Sequence, residues 1–403
     1  MVNSLFFYAF CRYTKDGSAQ LCLICHGRSY KNVNRPSMPD RIILSLFAFL
    51  LSFGATTHAQ TGPKNFAVIA YYAGRTTMID SFEVEKLTHL IFCFCHLKGN
   101  MLSVGNARDS ATIQRMVALK SRNPNLKIIL SLGGWGGCQT CSPVFATRKG
   151  RREFARSARD LNEYFGTDGI DIDWEYPTIE GFPGHAYNEN DKPAFTSLVK
   201  QLRRKLGKKN EISFAAGGFA KFIDSSVEWK KVMKKVDRVN LMSYDLVSGF
   251  STLSGHHTPL YSTPHQKEST DNAVQMMLGA GVPADKIVIG AAFYGRFFEV
   301  TDTINNGLYL PAKFYHGFSF SRLSDSLSAA NGFVQYWDSI AHAPYAFNIQ
   351  RKLLATYDDS ISVQQKTKYV LKNRLNGIMF WQLADDKFSG GLLNAIDRIK
   401  QDD

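Results

Sequence analysis

Short apolar segments alternate along the chain with longer segments in which apolar residues recur every three or four positions. The first pattern is typical of buried strands and the second of amphipathic helices, so their alternation indicates a parallel α/β sheet. We predict strands at 66–72, 90–94, 128–132, 169–175, 212–216, 239–244, 287–292 and 377–381. We predict helices around 110–122, 143–164, 192–206, 270–280, 363–374 and 392–400. Eight strands favour closure, and the predicted fold class is therefore α/β, a (β/α)8 barrel.

The interval between Arg296 and Gly377 breaks this alternation, because it is far longer than one helix requires. It contains two further strand-like segments, at 333–337 and 348–357. We therefore predict a small α+β domain at 297–376, inserted between the seventh and eighth strands. The barrel itself would then be formed by residues 60–296 and 377–403.

The N-terminal region contains a twelve-residue apolar run at 42–53, followed by small and polar residues up to Ala59. The run is too short to span a bilayer, and the pattern is typical of a secretory signal peptide. We predict a signal peptide at 38–59, cleaved after Ala59, and a secreted or periplasmic monomer with no membrane association afterwards. Residues 1–37 are predicted to be an over-extended segment ahead of a true start at Met38.

An acidic row stands on the fourth predicted strand, where Asp168, Asp171, Asp173 and Glu175 lie within eight residues. Because successive side chains of a strand alternate faces, the last three share one face and the apolar residues between them share the other. Asp168 has the opposite parity and is predicted to brace the start of the strand. Three carboxylates in a low-dielectric site cannot all stay ionised, so at least one pKa must be raised. Such a row can keep a neutral acid available at neutral pH.

Two other interpretations of the acidic row remain open. A solvated edge strand would need polar neighbours, whereas the intervening residues are apolar. A divalent metal site is the second alternative, since hard cations bind carboxylates, but no calcium-loop pattern follows. The histidines lack the His-Glu-x-x-His spacing, and no glycine-rich phosphate cradle is present. We therefore expect neither a metal nor a cofactor.

The charge balance limits the possible partners. The chain has 48 Lys and Arg against 35 Asp and Glu, for a net charge of +13. Its basic clusters lie on helix-like segments with the spacing of solvated faces, without interleaved aromatic platforms. No nucleic-acid partner is therefore expected.

Four of the seven cysteines follow Ala59. Cys93 and Cys95 are placed on one face of a strand and are expected to be buried free thiols. Cys138 and Cys141 stand in a glycine-rich loop of a chain predicted to be exported, and a local disulfide is the main interpretation. A redox or zinc role is the minor alternative, because no second Cys or His pair accompanies them.

The acidic row is part of a longer motif, Asp168-x-x-Asp171-x-Asp173-x-Glu175-Tyr176-Pro177, which resembles the signature of family 18 of the glycoside hydrolases, the chitinase family. Other predicted strand ends also resemble the family: Ser131-Leu132-Gly133-Gly134-Trp135, Met242-Ser243-Tyr244-Asp245, Phe293-Tyr294-Gly295-Arg296 and Phe380-Trp381-Gln382. The resemblance covers nearly all of 66–400 and includes the inserted domain of one subgroup of the family.

The resemblance implies retaining hydrolysis of β-1,4 bonds between N-acetylglucosamine units in chitin and chitooligosaccharides, with the substrate's own acetamido oxygen as nucleophile. Glu175 would be the general acid and later the base. Asp173 would orient the acetamide, Asp171 would accept the proton that frees Asp173, and Tyr244 would hold the acetamide oxygen. The implied substrate-binding residues are Trp381, Asp245, Arg296, Tyr72, Trp135, Tyr294 and Tyr176. The residues assigned to the structural motif are Asp168, Ser131, Gly133 and Gly134.

Two alternative functions share this motif. A lectin-like member of the family would bind chitin oligosaccharides without cleaving them, but such proteins typically replace the terminal acid, and Glu175 is present here. An endo-β-N-acetylglucosaminidase would act on N-glycan cores. The predicted insertion between strands seven and eight argues against that activity.

Overall fold

A computed structural model describes residues 66–401 in full, together with the backbone of two short strands, Phe10–Tyr13 and Ala19–Cys22. These two strands pair in antiparallel fashion. The predicted signal peptide at 38–59 lies outside the described residues, as does most of the segment 1–37, so both stay predictions. Within 66–401, no helix combines the length and the apolar character needed to cross a membrane.

Eight parallel strands form a closed barrel, which confirms the predicted fold class. The barrel strands, called first to eighth in chain order, are Ala67–Tyr72, His89–Lys98, Lys127–Gly133, Gly169–Asp173, Glu211–Gly217, Val239–Met242, Ile287–Ala292 and Gly377–Trp381. Each strand pairs with its neighbour in the chain, and the first strand pairs with both the second and the eighth. A short strand, Met101–Ser103, adds antiparallel to the second. Burial on both faces explains the nearly continuous apolar runs.

Helices cover the outside of the barrel, and one further short helix, Leu323–Ser326, lies in the insertion. The α-helices are Ala107–Ala118, Cys141–Ala146, Arg148–Phe165, Asp191–Leu206, Ala220–Ser225, Trp229–Val232, Thr270–Gly279, Leu323–Ser326, Ser360–Lys372 and Leu392–Gln401. Short 3-10 turns lie at Met78–Ser81, Val84–Lys86, Leu119–Ser121, Ala284–Lys286, Ile304–Gly307, Phe320–Arg322, Ala329–Asn331 and Leu383–Asp385.

The single helix predicted at 143–164 was wrong, because two helices occupy this segment. Thr147 stands between them in an extended conformation and caps the second helix, its Oγ1 accepting a hydrogen bond from Gly150 N at 2.9 Å. At the other end, Gly166 adopts φ 72° and closes the helix in the left-handed conformation that suits glycine.

Two predicted strand ends were too long. The fourth strand ends at Asp173 rather than at residue 175, and the sixth ends at Met242 rather than at 244. Glu175 and Tyr244 therefore lie in the segments that follow the strands. The alternation of polar and apolar residues continues past the last ladder hydrogen bonds, so the sequence pattern alone does not show where pairing stops.

The insertion between the seventh and eighth strands is confirmed as a sheet of antiparallel strands. Its spatial order is Ala312–Ser319, Tyr294–Val300, Leu353–Tyr357, Ala343–Asn348 and Val334–Asp338. The sheet begins just before the predicted boundary at 297. The following helix, Ser360–Lys372, packs Val363 and Val370 into the core cluster of the barrel. Residues beyond Tyr357 are therefore structurally part of the barrel.

A buried ion pair joins the end of the insertion to the barrel. Lys366 and Asp358 are almost fully buried, and Lys366 Nζ lies 2.6 Å from Asp358 Oδ2. The same oxygen accepts a hydrogen bond from Ala292 N, at the end of the seventh strand, at 2.9 Å. Ser362 Oγ donates to Asp358 Oδ1 at 2.7 Å. The pair thereby fixes the start of helix Ser360–Lys372 against the rim of the barrel.

Replacing Lys366 by Met should destabilise the protein strongly, because it leaves the carboxylate of Asp358 buried without its cation. Removing one partner of a buried ion pair costs about 3–5 kcal/mol. We expect a decrease of this size in the free energy of unfolding, measured by urea denaturation. Lys368→Met is the matched control, because Lys368 is exposed on the same helix, and it should change the free energy by less than about 0.5 kcal/mol. Equal stabilities of the two variants would contradict the assignment.

Candidate active site

The carboxyl ends of the barrel strands open into a cleft of about 1130 Å³. Its base consists of barrel residues, and one wall comes from the insertion sheet, which contributes Arg296, Phe314 and Phe318. The predicted site residues that line the cleft are Asp173, Glu175, Tyr176, Tyr244, Asp245, Tyr294, Arg296, Trp135 and Trp381. Because these residues come from distant parts of the chain, closure of the barrel is what brings them together.

Asp171 lies on the fourth strand beneath the cleft and is fully buried. Its Oδ2 accepts hydrogen bonds from Tyr71 OH at 3.2 Å and from Ser131 Oγ at 2.9 Å. Its Oδ1 accepts from Ser213 Oγ at 2.6 Å and from Asn240 Nδ2 at 3.2 Å. Burial raises the pKa of Asp171, while these four donors oppose the increase by stabilising the charged form. Donors from four strands hold this carboxyl group in one orientation.

Asp173 and Glu175 continue the acidic row into the cleft, and both are buried. Burial, together with the negative charges of Glu175 and Asp171, raises the pKa of Asp173 well above its ordinary value. Burial, together with the charge of Asp245, raises the pKa of Glu175 to about 8. Within residues 66–401, Asp173 Oδ1 has no hydrogen-bond partner. The row therefore presents a protonated acid at neutral pH beside an acceptor oxygen that is not in use.

Glycines at the end of the third strand allow the acidic row to sit against its neighbour. Gly133 adopts φ 113°, and a Cβ atom there would lie 2.0 Å from Asp173 O. Gly134 N donates to the same carbonyl at 3.0 Å, and a Cβ on Gly134 would collide with the ring of Phe94. No larger side chain fits this close approach of two strand ends. Together with Ser131, which binds Asp171, these glycines position the row from one side.

A charged pair lines the cleft where the insertion sheet meets the barrel. Arg296 donates from Nε and Nη2 to the two carboxylate oxygens of Asp245, each at 2.5 Å. Burial would raise the pKa of Asp245, but His257 and Arg296 outweigh it and hold this pKa well below its usual range. His257 Nδ1 lies 3.5 Å from Asp245 Oδ1. The Arg296 guanidinium also lies 5.5 Å from the centre of the Tyr294 ring. Asp245 is therefore ionised, and its orientation is fixed.

Aromatic rings cover the base and the rim of the cleft. At the base, Trp381 stacks on Phe94 with ring centres 5.7 Å apart. At the rim, Trp135 is 47% exposed. The centre of its ring lies 5.7 Å from that of Phe182 and 5.9 Å from that of Phe250. Flat apolar surfaces of this kind suit the apolar faces of sugar rings, whose hydroxyl groups point outwards. The cleft thus combines charged groups on its walls with aromatic surfaces at its base and rim.

The placement of Tyr72 in the site was wrong. Its side chain is buried in the layer between barrel and helices, and its hydroxyl donates to Arg75 O at 2.5 Å. The neighbouring Tyr71 faces the barrel interior, lines the cleft and binds Asp171. The two side chains point to opposite faces of the first strand. A sequence pattern of two adjacent tyrosines does not show which one faces inwards.

Cys93 and Cys95 are buried free thiols, as expected, but their predicted common face was wrong. Cys93 packs inside the barrel and Cys95 in the outer core, because the register of the second strand shifts between Phe92 and Cys95. The same irregularity accompanies the position of Phe94 in the cleft. Irregular pairing of this kind has no signature in the hydrophobic pattern.

Two other predicted positions lie outside the cleft. Asp168 stands at the start of the fourth strand, where its Oδ2 accepts from Ile128 N at 2.8 Å and pairs with Lys120 Nζ at 2.7 Å. Cys138 and Cys141 are joined by a disulfide, with Cα atoms 5.3 Å apart, which links the first residue of helix Cys141–Ala146 to the loop before it. Asp168 therefore ties together the starts of the third and fourth strands, at the end of the barrel away from the cleft, whereas the disulfide lies in the segment that follows the third strand.

Several site residues escaped the sequence analysis. Ser213 and Asn240 were overlooked, although polar residues inside apolar strands require partners and could have indicated an interior polar group. Phe219, Phe250 and Phe314 line the cleft from loops and from the insertion, and no periodicity marks such positions. Within residues 66–401, no group of three or more His, Cys, Asp or Glu side chains is arranged to hold a metal ion.

Comparisons with known proteins agree with this geometry. The family model described as "Glycosyl hydrolases family 18" matches residues 67–386. Chitinase A1 of Niallia circulans is 35% identical over an alignment of 302 residues, and the match covers 69% of this chain and 43% of that protein. Chitinase B of Serratia marcescens is 27% identical over 425 residues, covering 82% of this chain and 83% of that protein. This chain therefore corresponds to less than half of the Niallia relative.

A solved structure, described as a novel glycoside hydrolase family 18 N-acetylglucosaminidase from Paenibacillus barengoltzii, is 34% identical to this chain. It superposes with a TM-score of 0.76, and the match covers 83% of this chain and 100% of that one. The similarity thus includes the barrel, which carries the acidic row, and extends over the whole of that protein.

The hydrogen bonds to Asp171 can be tested through its pKa. Ser213→Ala removes the donor at 2.6 Å, and a hydrogen bond to a charged group contributes about 1.5–3 kcal/mol. We therefore expect the pKa of Asp171 to rise by about one to two, since one pKa unit corresponds to about 1.4 kcal/mol. Carbon-13 NMR of labelled aspartate during a pH titration would measure it. Tyr72→Phe is the control and should leave this pKa unchanged; a similar increase in the control would contradict the assignment.

Proposed function

The chain belongs to family 18 of the glycosyl hydrolases, and from that premise we propose that it hydrolyses β-1,4 bonds between N-acetylglucosamine units in chitin and chitooligosaccharides. One observation carries this proposal: Glu175 is a buried acid whose raised pKa of about 8 keeps its proton at neutral pH, and it stands in an open cleft. A glycosidic oxygen needs such a proton donor when its bond breaks. The aromatic base at Trp381 and the charged wall at Asp245 and Arg296 suit a neutral sugar with polar edges.

The proposed mechanism retains the anomeric configuration and uses the substrate's own acetamide. The acetamide oxygen attacks the anomeric carbon while Glu175 transfers its proton to the leaving oxygen. The attack closes a second ring on the sugar and gives a bicyclic oxazolinium ion. Water then attacks the same carbon, Glu175 takes its proton, and the acetamide is restored. Two displacements at one carbon give net retention.

Asp173 and Tyr244 are proposed to hold the acetamide during the attack. The free Oδ1 of Asp173 is a ready acceptor for the acetamide N–H. The hydroxyl group of Tyr244 makes one weak contact, with Met379 Sδ at 3.9 Å, and so remains available to donate to the acetamide oxygen. Asp171 is already bonded to four donors, which suits a supporting role in which it exchanges a proton with Asp173.

We further propose that the enzyme acts outside the cytoplasm. The apolar run at 42–53 with its following small residues supports a signal peptide. The disulfide between Cys138 and Cys141 supports the same location, since such bonds persist in oxidising compartments.

Two lengths of product are compatible with this hydrolytic activity: single N-acetylglucosamine units and longer oligosaccharides. The Paenibacillus enzyme is described as an N-acetylglucosaminidase, and the match covers 100% of that enzyme and 83% of this chain. This similarity favours, as a second candidate, release of single N-acetylglucosamine units rather than longer products. Analysis of the products from one oligosaccharide separates the two possibilities.

Hydrolysis of N-acetylchitohexaose by the wild type and by Glu175→Gln tests the reaction and the acid together. We expect β-anomeric products from the wild type, detected by proton NMR and chromatography, and a decrease in kcat of about 10²–10⁴-fold in the variant. Glu180→Gln is the control, because Glu180 is an exposed residue nearby and does not line the cleft. Binding without cleavage by all three proteins would indicate a lectin-like protein. Absence of any interaction would favour N-glycan substrates.

The pH dependence of hydrolysis should follow the proton on Glu175. The pKa of this group is raised to about 8, so the active protonated form is fully populated only well below that pH and is lost as the pH rises through it. We expect an alkaline limb near pH 8 in the profile of kcat/KM, which reports the free enzyme. Because the charge of Asp245 contributes to the increase, Asp245→Asn should move this limb to lower pH. A limb near the ordinary glutamate pKa in the wild type would contradict the assignment.

A further inference from the structure

A second cavity, of about 290 Å³, lies on the outside of the barrel between helices Arg148–Phe165 and Asp191–Leu206. We call it the basic cavity; its lining residues are Arg148, Arg151, Ser197, Lys200, Gln201 and Arg204. None of these residues lines the cleft that holds the acidic row. The two helices follow the third and fourth strands and form part of the outer layer, so the basic cavity is separate from the proposed active site.

The lining of the basic cavity has one chemical character. Four of its six residues are cationic, the other two carry a hydroxyl and an amide, and none has a carboxylate. All six side chains can therefore donate hydrogen bonds. A cavity that offers positive charge and donors, with no negative group, fits an oxyanion.

The four cations have no ion-pair partner within the described part of the chain. Neighbouring basic residues on the same helices do form ion pairs. Lys149 Nζ lies 3.9 Å from Glu153 Oε1, and Arg203 Nη2 lies 2.5 Å from Asp237 Oδ2. In contrast, Arg148, Arg151, Lys200 and Arg204 have no carboxylate within 4.0 Å among residues 66–401. Lys200 and Arg204 are also four residues apart on one helix, where like charges repel.

Two of the lining side chains are already held in place. Arg151 donates from Nη1 to Phe145 O and to Ala146 O. These bonds fix the guanidinium at the carboxyl-terminal end of helix Cys141–Ala146. Burial lowers the pKa of Arg151, which shows that its charge is partly removed from water. Gln201 Nε2 is buried and has no hydrogen-bond partner among the described residues. An unused donor of this kind costs free energy unless a ligand or water satisfies it.

We propose that the basic cavity is a binding site for a multiply charged oxyanion of the phosphate class. Several phosphoryl oxygens would accept hydrogen bonds from Arg151 and Gln201, while Lys200 and Arg204 would supply positive charge that forms no ion pair among residues 66–401. A free oligophosphate and the phosphate groups of an anionic polymer present the same oxygens. The site lies on the outer layer of the barrel, so its occupation does not require the proposed hydrolytic activity.

Binding can be measured by isothermal titration calorimetry of the full chain at low ionic strength, with pyrophosphate and with long-chain polyphosphate as separate titrants. An ion pair at an exposed site contributes up to about 1 kcal/mol, or about fivefold in affinity. The double variant Lys200→Gln/Arg204→Gln removes two such cations and should therefore bind pyrophosphate more weakly than the wild type, by up to about 25-fold. Arg151 is left intact because its contacts with two helix carbonyls support the fold.

The double variant Lys234→Gln/Lys235→Gln is the matched control, since it removes the same charge from exposed lysines outside the basic cavity. It should retain wild-type affinity. An equal loss of pyrophosphate affinity in both double variants would show that binding reflects only general charge attraction, and it would overturn the proposal. The proposal would also be overturned if the wild type bound neither titrant. Tighter binding of pyrophosphate would indicate a free oligophosphate, and tighter binding of polyphosphate per phosphoryl group a polymer. Hydrolysis of N-acetylchitohexaose should be unchanged in both variants, which keeps this test independent of the catalytic proposal.

Discussion

The burial of three carboxyl groups in a single row is the constraint on which the rest of this structure depends. Removing each unpaired charge from water costs several kcal/mol, and charges at alternate positions of one strand also repel one another. The row is tolerated because the three groups have different surroundings. Asp171 accepts hydrogen bonds from four donors, the pKa of Asp173 is raised by burial and by the neighbouring charges, and Glu175 keeps its proton. The unequal treatment of three similar groups is what makes acid chemistry available at neutral pH.

The closed barrel supplies the environment that this row requires. The donors to Asp171 come from the first, third, fifth and sixth strands, so an open sheet would leave part of the carboxyl group unsatisfied. Gly133 and Gly134 let the third strand approach the carbonyl of Asp173 without a side chain between them. Packing and electrostatics are therefore satisfied by the same contacts, and a change that loosens the barrel would also alter the protonation of the site.

The insertion sheet forms one wall of the cleft and is tied to the barrel at both ends. Its strand Tyr294–Val300 follows the seventh barrel strand almost directly and carries Arg296 to Asp245. Its last strand leads into the buried pair of Asp358 and Lys366. Both connections limit how far this wall can move relative to the acidic row. The basic cavity lies instead between two outer helices, where side chains can vary without disturbing these contacts.

Much of this organisation could be predicted from the sequence because strong local patterns carry it. The eight apolar segments determined the number of strands, and the spacing of Asp171, Asp173 and Glu175 determined that one strand face is acidic. The long interval after Arg296 indicated the insertion. These features depend on the period of side chains along a strand and on segment length, which are properties of the local chain.

Other features were decided by the tertiary structure alone. Which of Tyr71 and Tyr72 faces inwards depends on how the first strand pairs with its two neighbours, and the position of Phe94 depends on a shift in strand register. The end of pairing at Asp173, ahead of Glu175, is likewise a property of the ladder. Contacts between residues far apart in the chain, such as Asn240 with Asp171, arise only when the barrel closes. The sequence by itself therefore determined which groups could perform the chemistry, and the tertiary structure decided which of them meet, because meeting depends on strand pairing and closure rather than on local period.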